Sequence, residues 1–228
     1  MVAKPNIVEV AALIGDASRV TMLSEMLGGK ALPASELARI ARITPQTASS
    51  HLAKLVEGGL LSMETSGRHR YYRLAGPEVA YALEALNAIA TQKPSQSLKE
   101  YDRLKVLRYA RTCYDHIAGE VGVRLTDQLL ALGMIDRSGR DFVVSERGYE
   151  RFRKFGIDVD NVKKERRHFA RQCLDWSERR HHIAGSLGAA MTNRLFELEW
   201  IVRIPGGRAI RVTEAGLNGL ANEFCLKL

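Results

Sequence analysis

This chain repeats itself, and that repetition constrains its fold more than any other feature. "RTCYDH" at 111–116 and "RQCLDW" at 171–176 carry Arg, Cys and Asp at the same mutual spacing, offset by 60 (171 − 111). "HIAG" follows each copy, at 116–119 and at 182–185. "LTDQLLALGMI" at 125–135 matches "MTNRLFELEWI" at 191–201, and "VSERG" at 144–148 matches "VTEAG" at 212–216. Each copy reads as a helix, a strand, a short loop, a second strand and a helix capped by Ser or Thr with Glu in its first turn. The same helix-into-strand phrase occurs earlier as "LVEGGLL" at 55–61. The expectation is three winged-helix-like units, the last two forming one domain. Upstream of the wings, "IAGEVGV" and "IAGSLGA" read as part of one long helix, and "KVLRYARTC" as an amphipathic helix ending at its Cys.

The first part of the chain supplies the remaining elements. "NIVEVAALIGDASRVTMLSEML" has apolar residues at helical spacing, so one helix over about 7–27 is expected. "ASELARIARI" reads as a short helix with Ser35 as its N-cap. In "TPQTASSHLAKLVEGGLL", Thr44 is an N-cap, Pro45 suits the first helical position and Gly58-Gly59 stop the helix. "LLSMETSGRHRYYRL" alternates apolar and polar residues around a Gly turn, which is a β-hairpin. "GPEVAYALEALNAIA" restarts a helix behind Pro77. The order is that of a winged helix-turn-helix. The predicted class is mainly α with small β-hairpins. A winged-helix DNA-binding and dimerisation domain covers 1–92, a linker 93–99, and a C-terminal domain 100–228, with repeats at about 103–158 and 163–228.

Composition narrows the class. No run approaches the roughly 18 apolar residues of a membrane span, and the N-terminus lacks the apolar core of a signal peptide. Cys113, Cys173 and Cys225 form no C-x-x-C pair, which fits a reducing cytoplasm. The net charge of +8 divides unevenly: residues 1–92 hold nine basic against eight acidic residues, and 93–228 hold twenty-five against eighteen. A polyanion-binding surface in the first part must therefore come from a local cluster.

That cluster is present. From Thr44, the helix exposes Gln46, Thr47, Ser49, Ser50 and Lys54, while Ala48, Leu52, Leu55 and Val56 face inward. Short hydroxyl residues let a helix approach a major groove closely, and Gln can pair bidentately with adenine. His51 could reach a phosphate or a base. Arg68, His69 and Arg70 surround the tight Gly turn, with Arg73 behind, and arginines suit a narrow minor groove or phosphate pairs.

Residues 7–92, above all "ASELARIARITPQTASSHLAKLVEGGLLSMETSGRHRYYRL", resemble the ArsR-type (ArsR/SmtB-like) family of bacterial transcription regulators. The likeness lies in helix order, the S-x-H-L-x-x-L recognition helix and the G-R wing. It implies a sequence-specific regulator of double-stranded operator DNA. Such a regulator is homodimeric through its first and last helices, and usually a repressor released by a small-molecule or metal effector. Two familiar metal sites of that family are absent: "SELARIARI" has no Cys or His, and "EVAYALEALNAIA" offers only Glu78 and Glu84. No cofactor is expected, and any metal ion would bind elsewhere. A receptor would then lie in the second domain.

There the candidate effector ligands are Cys113, Asp115, His116, Cys173, Asp175, His181 and His182. A Cys with two His suits zinc or another soft metal if the repeats meet, and Arg111 or Arg171 could activate a thiol for redox sensing. Against this, residues two apart do not share a helical face. The structural alternative makes each Cys close a helix. Asp115 then caps a helix starting at His116, Asp175 with Glu178 forms a capping box, and Arg pairs with a carboxylate across the repeat. No phosphate loop, H-E-x-x-H run or nucleophile motif is present, so no enzyme is expected. A winged helix that binds a protein instead of DNA is the remaining alternative.

Overall fold

The computed structural model describes residues 6–91, 94 and 97–228, which form two compact units, Met1–Leu83 and Glu84–Leu228. The division falls inside the helix that follows the first hairpin. The linker expected at 93–99 lies partly outside the described residues.

In the first unit the elements are α1 (Ile7–Ile14), α2 (Ala17–Met26), β1 (Leu32–Pro33), α3 (Ala34–Ala41), α4 (Pro45–Glu57), β2 (Leu61–Ser66), β3 (His69–Leu74) and the start of α5 (Pro77–Ile89). This is the winged helix-turn-helix. Its sheet has the order β1-β3-β2, all antiparallel, with Leu61 opposite Leu74 and Ser66 opposite His69 at the tip. Met22, Leu23, Met26, Leu37, Leu52, Leu55, Leu61, Tyr72 and Leu74 are buried beneath it. Removing such side chains from water is worth about 1.5–3 kcal/mol each.

Two local readings are corrected. The single helix expected at 7–27 is two, because Gly15 ends α1 and the Asp16 carboxylate accepts the Arg19 amide at 2.9 Å, starting α2 afresh. Ser35 lies inside α3, whose N-cap is Pro33 with no side-chain cap bond. Thr44 caps α4 as expected, accepting from the Thr47 amide at 3.2 Å.

The second unit begins within α5. It continues with α6 (Leu98–Tyr109), β4 (Arg111–Cys113), β5 (His116–Ala118), α7 (Gly119–Ala131), β6 (Ile135–Ser138), β7 (Asp141–Val144), α8 (Glu146–Lys154) and α9 (Val159–Lys163). The second copy follows as β8 (Arg171–Leu174), β9 (His181–Ala184), α10 (Gly185–Glu197), β10 (Ile201–Arg203), β11 (Ile210–Val212) and α11 (Glu214–Phe224). Ser145 and Thr213 cap α8 and α11, each accepting the amide three residues on at 2.9 Å.

The copies are not long helices upstream of their wings. β4-β5 and β8-β9 are antiparallel hairpins, with Cys113 opposite His116 and Cys173 opposite His182. The helices begin only at Gly119 and Gly185, both at φ +81°. A Cβ there would stand 2.6 Å from the Arg108 carbonyl oxygen or 2.5 Å from that of His168, so only glycine fits. Asp115 accordingly sits in a hairpin turn and caps no helix. Asp175 does accept the amides of Ser177 and Glu178, at 2.9 and 3.2 Å, but closes a turn.

The hairpins are exchanged between the copies. Arg171 of β8 pairs with Asp141 of the first copy's wing, and Arg111 of β4 pairs with Ala209 in the second copy's wing. The flanking bonds repeat as well: Phe142 N to Ala170 O at 2.7 Å, and Ile210 N to Ala110 O at 3.1 Å. Thus β6-β7-β8-β9 form one sheet, and β10-β11 meet β4-β5 in the same manner. One core fills the space between, including Ile117, Val121, Leu125, Leu129, Phe142, Phe152, Ile183, Leu187, Met191 and Leu195. A pseudo-twofold axis therefore relates the repeats. Neither copy can bury its hairpin without the other.

Candidate functional site

In the first unit, α4 presents Thr44, Gln46, Thr47, Ser49, Ser50 and Lys54 to solvent, while Ala48, Leu52 and Leu55 are buried. Arg68, His69 and Arg70 are exposed at the wing tip. Three neighbours are placed otherwise. Arg73 forms an ion pair with Glu64 across the hairpin, and Tyr72 packs inward while Tyr71 is half-buried. Val56, expected to face inward, is half-buried, and among the residues expected to contact DNA so is His51. Its Nδ1 lies 3.2 Å from Arg19 Nη1 and its Nε2 3.9 Å from Asp16 Oδ1, so the ring braces α4 against α2.

The second unit brings Cys113, His116, Cys173 and His182 together, all buried, with one ligand atom from each lying within 4.8 Å of the others. Cys113 Sγ and Cys173 Sγ are 4.0 Å apart, and His116 Nε2 and His182 Nε2 3.1 Å apart. The pairs form because each Cys faces its His across a hairpin, where opposite side chains are close. The exchange of hairpins then sets one pair against the other. Asp115 Oδ1 stands 3.2 Å from His116 Nδ1, and Asp175 Oδ2 stands 3.4 Å from His182 Nδ1. His181, next in sequence to His182, is half-buried and is not part of the cluster.

Asp175 is a hub. Its Oδ2 accepts from Arg111 Nη2 at 2.8 Å and from the Gly119 amide at 2.7 Å. Its Oδ1 accepts from the Ser177 hydroxyl at 2.6 Å. Arg pairs with carboxylate across the repeat as the sequence suggested, and the Trp176 ring lies against the Arg111 guanidinium at 4.6 Å.

A helix-turn-helix domain family matches residues 14–64. Over 224 residues the chain is 50% identical to the HTH-type transcriptional regulator YdfF of Bacillus subtilis (strain 168), a match covering 98% of this chain and 99% of that protein. The chain belongs to this family of helix-turn-helix transcriptional regulators. Among solved structures, part of it is similar to reduced HlyU from Vibrio cholerae N16961, with 26% identity and a TM-score of 0.34 over 38% of this chain and 90% of that one. It is also similar to the cadmium sensor CMTR from Mycobacterium tuberculosis, with 27% identity and a TM-score of 0.31 over 40% and 98%.

Electrostatics in the regulator's second unit set burial against charge pairing. Burial would raise the Asp175 carboxyl, yet the Arg111 and His182 charges and the Ser177 and Gly119 bonds outweigh it and hold it far below the usual carboxylate range. The Cys113 thiol is pushed well above its ordinary value by its contact with Cys173 and by burial. Glu84 is buried against Arg208, and although burial would raise its carboxyl, the arginine charges leave it lowered. Among the described residues, no helix is long and apolar enough to cross a membrane.

Proposed function

We propose that this regulator is a homodimeric repressor that binds double-stranded operator DNA through α4 and its wing, and is released by an effector recognised in its second unit. The observation that carries the reading is the exposed row Thr44, Gln46, Thr47, Ser49, Ser50 and Lys54, in the same compact unit as exposed Arg68, His69 and Arg70. The helix row offers donors and acceptors to base edges, and the wing offers cations to the phosphates. In this reading His51 contributes by holding the angle of α4. Dimerisation is supported by α1, which has no buried residue although Ile7 is 76% and Val8 78% exposed. An apolar helix left uncovered in this way suits pairing with its counterpart.

Fluorescence anisotropy with a labelled duplex from the DNA upstream of the regulator's own gene tests the reading. Arg68→Ala with Arg70→Ala is expected to weaken binding and to flatten its salt dependence by about one unit of slope per arginine. Unchanged affinity and slope would remove the wing from the interface. Light scattering at micromolar concentration should give twice the chain's 25.4 kDa mass.

A further inference from the structure

We propose that Cys113, His116, Cys173 and His182 bind one divalent ion of the zinc class on the pseudo-twofold axis of the second unit. The inference does not rest on the DNA-binding reading.

The distances favour it. A tetrahedral zinc ion with Zn–S of about 2.3 Å and Zn–N of about 2.0–2.1 Å holds two sulfurs about 3.8 Å apart and two nitrogens about 3.3 Å apart. The corresponding separations here are 4.0 and 3.1 Å. Both imidazoles turn Nε2 to the centre and Nδ1 to a carboxylate, Asp115 or Asp175. Carboxylates behind the rings fix the tautomer a metal needs and raise the basicity of the ligand nitrogen. At His116 this support is a hydrogen bond to Asp115 at 3.2 Å, while His182 Nδ1 faces Asp175 Oδ2 at 3.4 Å without hydrogen-bond geometry.

Charge and ligand type agree. Two thiolates neutralise a divalent cation, leaving a neutral centre in a buried place where an uncompensated charge would be costly. Two sulfurs and two imidazole nitrogens suit zinc, cobalt or cadmium, and the donor set has none of the oxygen ligands magnesium or calcium requires. Four protein ligands fill a tetrahedron and leave no open position for substrate, so the site is structural or sensing and not catalytic. Each Cys–His pair comes from one exchanged hairpin, so the ion would tie β4-β5 to β8-β9, and folding of the second unit would be linked to metal.

The full chain, stripped by a chelator under reducing conditions and titrated with cobalt(II), tests the site. The expected result is the strong visible absorption of tetrahedral cobalt with a thiolate charge-transfer band, saturating at one ion per chain and displaced by zinc. Cys113→Ser, Cys173→Ser and His116→Gln should each lose or shift this spectrum, whereas Cys225→Ser, at an exposed cysteine, should keep it. Because the ligand variants can fail to fold, X-ray absorption of the zinc-loaded unmutated chain gives an independent readout, with two sulfur and two nitrogen neighbours expected. A pale octahedral spectrum, no stoichiometric uptake, or an unaltered spectrum in a folded Cys113→Ser chain would overturn the proposal. So would a Cys113–Cys173 disulfide in protein purified without oxygen.

Discussion

Thr126 Oγ1 accepts a hydrogen bond from the buried backbone amide of Ile183 at 2.9 Å, while its own hydroxyl donates to the Gly122 carbonyl. Thr192 repeats the arrangement on the other side of the pseudo-axis, accepting from Ile117 N at 2.8 Å and donating to the Gly188 carbonyl. Each helix thereby fastens the other copy's hairpin. Gly122 and Gly188 in turn let each helix lie against the hairpin of its own copy, since a Cβ at Gly122 would stand 2.5 Å from the Ile117 carbonyl oxygen and one at Gly188 2.5 Å from that of Ile183.

Thr126→Val and Thr192→Val keep the shape and remove the acceptor. Each leaves a buried amide unpaired and should cost about 1–3 kcal/mol in urea unfolding. Since both bonds join the copies, the second unit should still unfold in one transition. A loss within the ±0.5 kcal/mol usual for surface changes would mean that these bonds do not hold the hairpins.

The Arg111–Asp175 pair is fully buried, and its partners depend on each other. Arg111→Met leaves the Asp175 carboxylate without its cation and should cost about 3–5 kcal/mol. Combined with Asp175→Asn, the loss should be smaller than the sum of the two single losses. A double-mutant cycle in denaturant measures this coupling, and simple additivity would show that the pair is not a unit.

How much of this was legible in the sequence depends on the range over which each interaction acts. Thr44, Ser145 and Thr213 announce their caps through bonds only three residues long, and the wings through alternation around turns. The hairpins carrying Cys113 and Cys173 were hidden, because their outer strands pair with wings of the other copy, as Arg111 does with Ala209. Their local periodicity continues the adjacent helices, and only Gly119 and Gly185 mark the break. The repeat itself held the clue to the cluster. Equivalent residues of two fused copies can meet on the axis that relates them, which is how Cys113 reaches Cys173. The Arg19 contact that draws His51 inward likewise joins residues 32 apart in sequence.

Glu84 gives the second unit a pH dependence of definite sign. Its carboxyl is lowered in the folded chain, so its stabilising contribution is complete above the ordinary glutamate value of about 4.3. That contribution is lost as pH falls through the lower folded value. Glu84→Gln should therefore be less stable than the parent near pH 7, and the gap should narrow below about pH 4. Thermal melts across that range measure it, and a gap independent of pH would mean that the carboxylate charge contributes nothing.

Recognition of DNA through α4 is tested most directly by comparing anisotropy titrations on the regulator's own upstream duplex and on a scrambled duplex of equal length. The unmutated protein should prefer its own DNA. Gln46→Ala should shrink that preference by about 1–3 kcal/mol, while Arg68→Ala should weaken both duplexes alike. Equal affinity of the unmutated protein for both duplexes, or an unchanged preference in Gln46→Ala, would contradict base readout by this helix.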